Sequence, residues 1–360
     1  MTIVVSLKSL VSRRQHLCSS ANGNKTVRQE GWSSHFLVCH SVVTHHPESR
    51  HQPQTSLTMA PHKAFVCTAT GTQGGAVARK LRALGWEVNT TSRDPNSAAA
   101  QALTSIGVNV HQGDWTTNGA LEGAIAGCDL LYLNMVPNFA DPTSEAEQGK
   151  NILRIAKAAG VAHVVYSSAF SLPALESHPF ITHAFSSKRV LEEAVQTSGF
   201  RHWTILRPGF FMANYLSPKV ERLYPGTAET GLFTLALRPD TELQMIDHED
   251  IAAFAAAAFQ DPERFHAQAI DLISETVTAA QAIETMRRVT GRNIRAKYLA
   301  DDELEEARAA NPMLVLQEVL RVLSKLGDEE AVKGWGVEMG TFEGFVERER
   351  GAYEETYRNV

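Results

Sequence analysis

Between an apolar run and an amphipathic one, the chain places Thr68-Ala-Thr-Gly71-Thr-Gln-Gly74-Gly75. Glycines there let backbone approach backbone or phosphate where a side chain would collide. A helix that starts on such a turn offers free N–H groups and the positive end of its dipole to an anion. Such a turn also serves as a plain tight connection, but its place at a strand-to-helix junction favours a nucleotide pyrophosphate. Thr70, Gly71, Thr72, Gln73 and Gly74 are the residues expected to meet it. The second candidate group closes the next apolar run, Thr90-Thr-Ser-Arg93. An acidic residue there would select the ribose hydroxyls of NAD, whereas a basic one accommodates the extra phosphate of NADP. Arg93 supplies a planar cation and Ser92 a hydroxyl, so NADP is the expected cofactor; a solvated surface arginine is the alternative. Asp94 fits a turn before Pro95. Asp114, after the third run, is expected beside the adenine, or as a cap or turn residue.

The elements that must hold these groups are legible as an alternation. Short β-branched or apolar runs lie at residues 63–69, 87–92, 109–112, 129–134, 163–167 and 202–206, with amphipathic stretches at 75–84, 98–105, 118–126, 145–159 and 185–197 between them. Strand-to-strand intervals of this length accommodate crossover helices. The expected fold is α/β, a doubly wound parallel sheet of Rossmann type whose ligand lies at the carboxyl ends of the strands. Beyond Pro208 the chain reads as a smaller, helix-rich substrate lobe, with a short strand near residues 269–272 rejoining the sheet. Helices are expected at 278–290, ended by Gly291, and at 301–310 and 314–326, separated at Asn311-Pro312. The apolar faces carrying Leu316, Val319, Leu320 and Leu323 read as core or as the place where substrate identity is written.

Several segments together resemble the NmrA-like branch of the atypical short-chain dehydrogenase/reductase superfamily, over about residues 62–300. They are the Ala-Thr-Gly-x-x-Gly turn at 69–74, Gly113-Asp114, His163-Val-Val-Tyr-Ser-Ser168, Lys188 with Glu192, Leu206-Arg-Pro-Gly-Phe-Phe-Met-Ala-Asn214 and Met245-Ile-Asp-His-Glu-Asp-Ile-Ala252. The resemblance implies NADP binding and two kinds of member: reductases of small molecules, and nucleotide sensors that regulate partner proteins. It places Lys188 at the nicotinamide ribose and as the acid/base, and Ser168 as a hydroxyl against the substrate oxygen. The bland readings are an i,i+4 pair of Lys188 with Glu192 and a strand-end cap at Ser168. Asn134, in the loop running to Phe139, and Pro208 with Phe210 and Phe211 are expected to flank the nicotinamide; the two rings read equally as core. Two departures stand out. Thr68 occupies a position where the superfamily turn usually has glycine, and Ala184 stands where active members carry the tyrosine proton donor. His183 and His178 are nearby imidazoles able to exchange protons near neutral pH.

Composition bounds the rest. Hydrophobic residues make up 43% of the 360, charged residues 21%, and the net charge is -6, which describes a globular chain without the basic stripe that nucleic acid would require. No apolar run approaches the roughly 18 residues of a membrane span. Cys18, Cys39, Cys67 and Cys128 show no metal-ligand spacing and read as reduced and unpaired; no metal is expected. Residues 1–58 are rich in Ser, His, Gln and Thr and lack periodicity. They read as a disordered extension or as an over-extended gene start ahead of Met59, with a basic, Ser-rich opening that resembles an organellar targeting peptide. Three segments are expected: 1–58, an NADP-binding domain over 59–300 that includes part of the lobe, and a helical remainder over 301–360. The expected compartment is the cytoplasm, or the mitochondrion if the extension belongs to the protein. Two functions remain open at this level, an NADP-dependent reductase of a small apolar or aromatic metabolite and a non-catalytic NADP sensor acting through a protein partner.

Overall fold

The computed structural model describes residues 62–138, 141–170, 179–322 and 327–360. The β-branched runs become strands and the amphipathic stretches helices, in the order β1 (Lys63–Val66), α1 (Thr72–Ala83), β2 (Glu87–Ser92), α2 (Ala98–Ser105), β3 (Asn109–Gln112) and α3 (Asn118–Ile125). Next come β4 (Leu130–Asn134), α4 (Pro142–Ala158), β5 (His163–Ser167), α5 (Pro179–Thr197) and β6 (His202–Pro208). The chain continues through β7 (Phe210–Phe211), α6 (Lys219–Leu223), α7 (Thr227–Thr230), β8 (Leu232–Leu235), β9 (Glu242–Ile246), α8 (His248–Gln260), α9 (Pro262–Phe265) and β10 (Gln268–Leu272). These are followed by β11 (Glu275–Thr278), α10 (Ala279–Thr290), β12 (Arg295–Tyr298), α11 (Leu304–Ala310), α12 (Leu314–Val322), α13 (Glu329–Lys333), α14 (Phe342–Arg348) and α15 (Arg350–Thr356).

Seven strands form one parallel sheet in the order β10-β6-β5-β4-β1-β2-β3. The chain runs outward from β1 to β3, then returns to β4 on the other side of β1. That reversal opens a crevice at the carboxyl edge between β1 and β4, where ligands of such sheets lie. One face is covered by α1 and α8, whose Ala76, Val77 and Leu81 pack with Ile251, Ala252, Phe254 and Ala255. The small residues of α8 let it lie close to α1. The opposite face buries Leu121, Ile125, Ile152, Leu191 and Val195 from α3, α4 and α5 against β1, β4 and β5.

The short strand near residue 270 does rejoin the sheet, as β10 beside β6. The C-terminal third is less purely helical than its sequence suggests. It contains a three-stranded sheet, β11-β9-β7, and a two-stranded one, β12-β8. Strands of two to five residues are too short to display a period of two, which hides them from a pattern reading. The lobe has its own core, built on Tyr215, Phe233, Met286, Phe342, Phe345 and Tyr353. Thr278 caps α10 through a reciprocal capping box with Gln281, and Gly291 ends that helix at φ 69°. Of the apolar face expected on α12, Val319 is buried and Leu316 and Leu320 are half-buried, while Leu323 lies outside the described residues. An ion pair fastens α14 to the sheet domain: Arg348 donates to both carboxylate oxygens of buried Asp247 at 2.7 and 2.9 Å, and Asp247 also caps α8.

Cys67 and Cys128 are buried and unpaired, and burial pushes the Cys67 thiol up to about 12. Cys18 and Cys39 lie outside the described residues. Among the described residues no helix is long and apolar enough to cross a membrane.

His163, at the start of β5, is the fold's clearest acid liability. Both its ring nitrogens are buried without a hydrogen-bond partner, beside Phe259 and His202 at 5.1 and 5.7 Å between ring centroids. Desolvation, with smaller contributions from His202 and His266, lowers its pKa to about 3. An unfolded histidine takes up its proton near 6.5, so the unfolded chain binds more protons at every pH between those two values. The stabilisation is therefore fully present above about pH 6.5 and is lost as pH falls below it, at up to about 1.4 kcal/mol per pH unit. In denaturant titrations between pH 7 and 5, His163→Leu is expected to lose stability with a shallower slope than the wild type. Equal slopes would remove His163 from the acid response.

Candidate functional site

The turn after β1 is shaped by three backbone facts. Thr68 sits at φ 53°, a left-handed conformation that is uncommon for a β-branched residue, and this ends β1 earlier than the apolar run suggests. The N–H of Gly71 then closes on the Thr68 carbonyl at 2.8 Å. Gly74 is the tightest point: a Cβ there would lie 2.5 Å from the carbonyl oxygens of Cys67 and Thr68. At Gly71 the nearest contact would be 3.3 Å, so Gly74 is the position at which the close approach requires glycine. Gly71 is also the N-cap of α1 and offers no side chain to the first N–H groups, which leaves the positive end of the helix open to an anion.

A cleft of about 810 Å³ opens on this turn. Thr68, Thr70 and Gly71 form its floor, Ser92, Arg93 and Asp94 one wall, and Gly113 to Thr116 the far end. Val136, Pro137 and Asn138, with Ser144, Glu145 and Gln148 of α4, form the other wall. Arg93 is exposed, and among the described residues no carboxylate lies within ion-pair distance of it. Its neighbours are committed to local structure. Ser92 Oγ donates to the Asp94 carbonyl at 2.9 Å, and Asp94 Oδ1 accepts from the Asn96 N–H, the turn expected before Pro95. Asp114 faces the cleft, but its carboxylate accepts from Thr116 N–H, Thr116 Oγ1 and Thr117 Oγ1, and these bonds hold it below the usual carboxylate range. Of the two readings of Asp114, its side chain follows the turn reading.

Other expected cofactor contacts have side chains turned to structural work. Gln73 Nε2 donates to Tyr132 Oη at 2.8 Å and to Ser167 Oγ at 2.5 Å, which ties α1 to the middle of β4 and the end of β5. Asn134 Nδ2 donates to Thr68 Oγ1 at 2.8 Å and braces the strained turn. Thr68 in place of glycine thus has a partner that glycine would lack. Pro208 is the buried last residue of β6, opposite Leu272. Phe210 packs its ring into the lobe core near Tyr215, whereas Phe211 packs against the sheet-domain core.

Lys188 does not pair with Glu192. Its ammonium is buried, 2.7 Å from Glu145 Oε1 and 3.1 Å from the Met135 carbonyl, which accepts a hydrogen bond from it. Glu192 instead receives a bidentate bond from Arg207, at 2.9 and 2.6 Å. A guanidinium fork at the end of β6 matches a carboxylate better than a lysine one turn away, so the i,i+4 reading fails on geometry. Burial presses the Lys188 pKa down, and Glu145 opposes that shift. Glu145 also accepts from Ser187 Oγ at 2.6 Å. It is the one member of this group that also lines the cleft described above, and so lies between the cleft and Lys188. Pattern reading gave Glu145 no role, because an acid in the first turn of a helix reads as a partner for the helix dipole. Ser168 follows β5 with its hydroxyl buried beside that of Tyr166. His183 is exposed on α5, and His178 lies outside the described residues.

A parallel sheet of this order, with a glycine turn at its switch point and an uncapped helix end in a cleft, defines a Rossmann-type nucleotide-binding fold. The NmrA-like family profile matches residues 62–346, and the chain belongs to that family. The match runs well past residue 300, so most of the C-terminal lobe lies within it. A reductase of Streptomyces griseus, (4-alkanoyl-5-oxo-2,5-dihydrofuran-3-yl)methyl phosphate reductase, is 33% identical over 68% of this chain and 80% of its own length. The NmrA-like family domain-containing oxidoreductase malD of Malbranchea aurantiaca is 28% identical over 66% of this chain and 76% of its own. Among solved structures, the negative transcriptional regulator NmrA in complex with NADP superposes with a TM-score of 0.65 at 20% identity, covering 82% of this chain and 98% of that one. An NADPH-dependent quinone oxidoreductase of Escherichia coli complexed with NADPH gives a TM-score of 0.59 at 24% identity, over 79% and 99%. At those identities the two structures establish a shared fold.

Proposed function

We propose that this chain is an NADP-dependent oxidoreductase that reduces a small apolar or aromatic metabolite. The observation that carries the reading is Arg93, an exposed guanidinium that has no carboxylate partner among the described residues and shares one cleft with the glycine turn. The residues present fit the dinucleotide. Thr70, Gly71 and Thr72 bring the backbone of the turn and the uncapped start of α1 to the pyrophosphate, and Gly74 admits the close approach. Gln73 and Asn134 hold that turn in shape through their side-chain bonds, and Ser92 and Arg93 take the 2′-phosphate. Asp114 and Trp115 line the cleft where the adenine would lie; Pro208, Ser168 and Lys188 are buried and outside that lining, and their assignment to the nicotinamide end rests on the family resemblance. The curated relatives named as oxidoreductases support reduction as the chemistry.

The bound cofactor supplies hydride; this chain must supply a proton and exclude water. Ala184 cannot supply a proton. Lys188 can, by passing a proton from its ammonium, weakened by burial, to the Glu145 carboxylate, which faces the cleft and hands it on to the substrate; the neutral amine left behind is reprotonated from water once product leaves. The second reading, a sensor that binds NADP without turnover and acts through a protein partner, is favoured by the same geometry: Lys188 is bonded to Glu145 and Met135. Nicotinamide absorbance followed with a panel of carbonyl, quinone and enone compounds separates the two. Consumption of NADPH with any of them supports the reductase, and tight NADPH binding without turnover across the panel supports the sensor.

Arg93 carries its own prediction. Arg93→Asp removes the partner of the 2′-phosphate and places an acid where NAD ribose hydroxyls would bind. NADPH affinity is expected to fall by about a hundredfold, the loss of one charge-assisted bidentate contact plus the added repulsion, while NADH affinity holds or rises. Unaltered preference would show that the phosphate binds elsewhere.

A further inference from the structure

Lys219 opens α6, in the lobe, yet its ammonium reaches the other domain's glycine turn: Nζ lies 3.1 Å from Oγ1 of Thr72, the first residue of α1. It also stands over the ring of Phe211, 5.9 Å from the centroid. Among the described residues no carboxylate lies within ion-pair distance of it. A half-buried cation thus stands at the positive end of a helix whose first N–H groups carry no side-chain cap. Desolvation, with a smaller push from Arg222, brings the Lys219 pKa down to about 8. An oxyanion seated between the ammonium and the helix end would be stabilised by both.

We propose that Lys219 is a pyrophosphate-binding residue contributed by the lobe, which closes over the dinucleotide at the start of α1. The inference rests on the dinucleotide reading given above and adds a contact that no part of the glycine turn supplies. Pyrophosphate is the anion the position selects: Thr72 is where backbone N–H groups of α1 converge, and Arg93 stands at the far wall with a separate phosphate to hold. The Phe211 ring beneath the ammonium holds it by a cation–π contact while leaving its N–H groups free to donate to an anion.

Calorimetric titration of the full chain with NADPH and with adenosine 2′-monophosphate tests this. The second probe keeps the 2′-phosphate and lacks the pyrophosphate. Lys219→Met is expected to weaken NADPH about tenfold and to leave the monophosphate unchanged, while Lys219→Arg keeps NADPH within about threefold of wild type. Unchanged NADPH affinity in Lys219→Met, with normal binding by the wild type, overturns the Lys219 assignment alone. Equal weakening of both probes overturns it too, since that pattern reports a deformed cleft. Failure of the wild type to bind NADPH at all overturns the dinucleotide reading and this inference with it.

Discussion

Lys188→Met is expected to abolish NADPH-dependent turnover and to destabilise the fold by about 3–5 kcal/mol, the range seen when one partner of a buried ion pair is removed. Both effects follow from one contact. The ammonium lies 2.7 Å from Glu145, and with methionine in its place the buried carboxylate keeps, among the described residues, only Ser187 as a side-chain donor. The two effects can be told apart. In the double variant Lys188→Met with Glu145→Gln the buried charge is gone, so most of the lost stability is expected to return, as read by denaturant unfolding, while turnover stays absent. Recovery of both would mean that Lys188 matters to packing only. Turnover that survives in the single variant would exclude the pair as the proton source.

The second large effect is at Gly74. Gly74→Ala puts a methyl group 2.5 Å from two carbonyl oxygens of the preceding turn, and these belong to backbone that Asn134 and the β1 ladder hold in place. Relief requires α1 to move away from β1. Expected are a stability loss of about 1–3 kcal/mol, typical of overpacking, and loss of measurable NADPH binding because the helix start no longer meets the phosphate. Gly71→Ala is the control: its contact would be 3.3 Å at an ordinary φ of −96°, and its effects should be much milder. Equal effects at the two positions, in melting temperature and in NADPH affinity, would contradict this geometry.

The sequence showed the sheet well and the site unevenly, for physical reasons. Strands such as β2 and β5 follow from β-branched runs bounded by turn residues, and their limits agree with the pattern. The end of β1 was placed too late because Ala64 to Val66 and Cys67 read as one apolar run, and only the positive φ at Thr68 breaks it. Phe210–Phe211 could not be read as a strand, since two residues have no period, and its pairing with β9 comes from the lobe's packing. At the site, the residues in the glycine turn and at the end of β2 were visible because local chain geometry dictates them. The charge partners were not. Lys188 meets Glu145, 43 residues away in sequence, and Lys219 meets Thr72, 147 residues away; no local spacing encodes either. The spacing that was visible, Lys188 to Glu192, misled, because Arg207 approaches that carboxylate from a neighbouring strand with a better-matched donor pair.

The most direct measurement is equilibrium titration of the full chain with NADPH and with NADH at one fixed salt concentration. If Arg93 takes the 2′-phosphate as proposed, the chain is expected to bind NADPH at one site and at least about tenfold more tightly than NADH. Equal affinity for the two, or a preference for NADH, would contradict it.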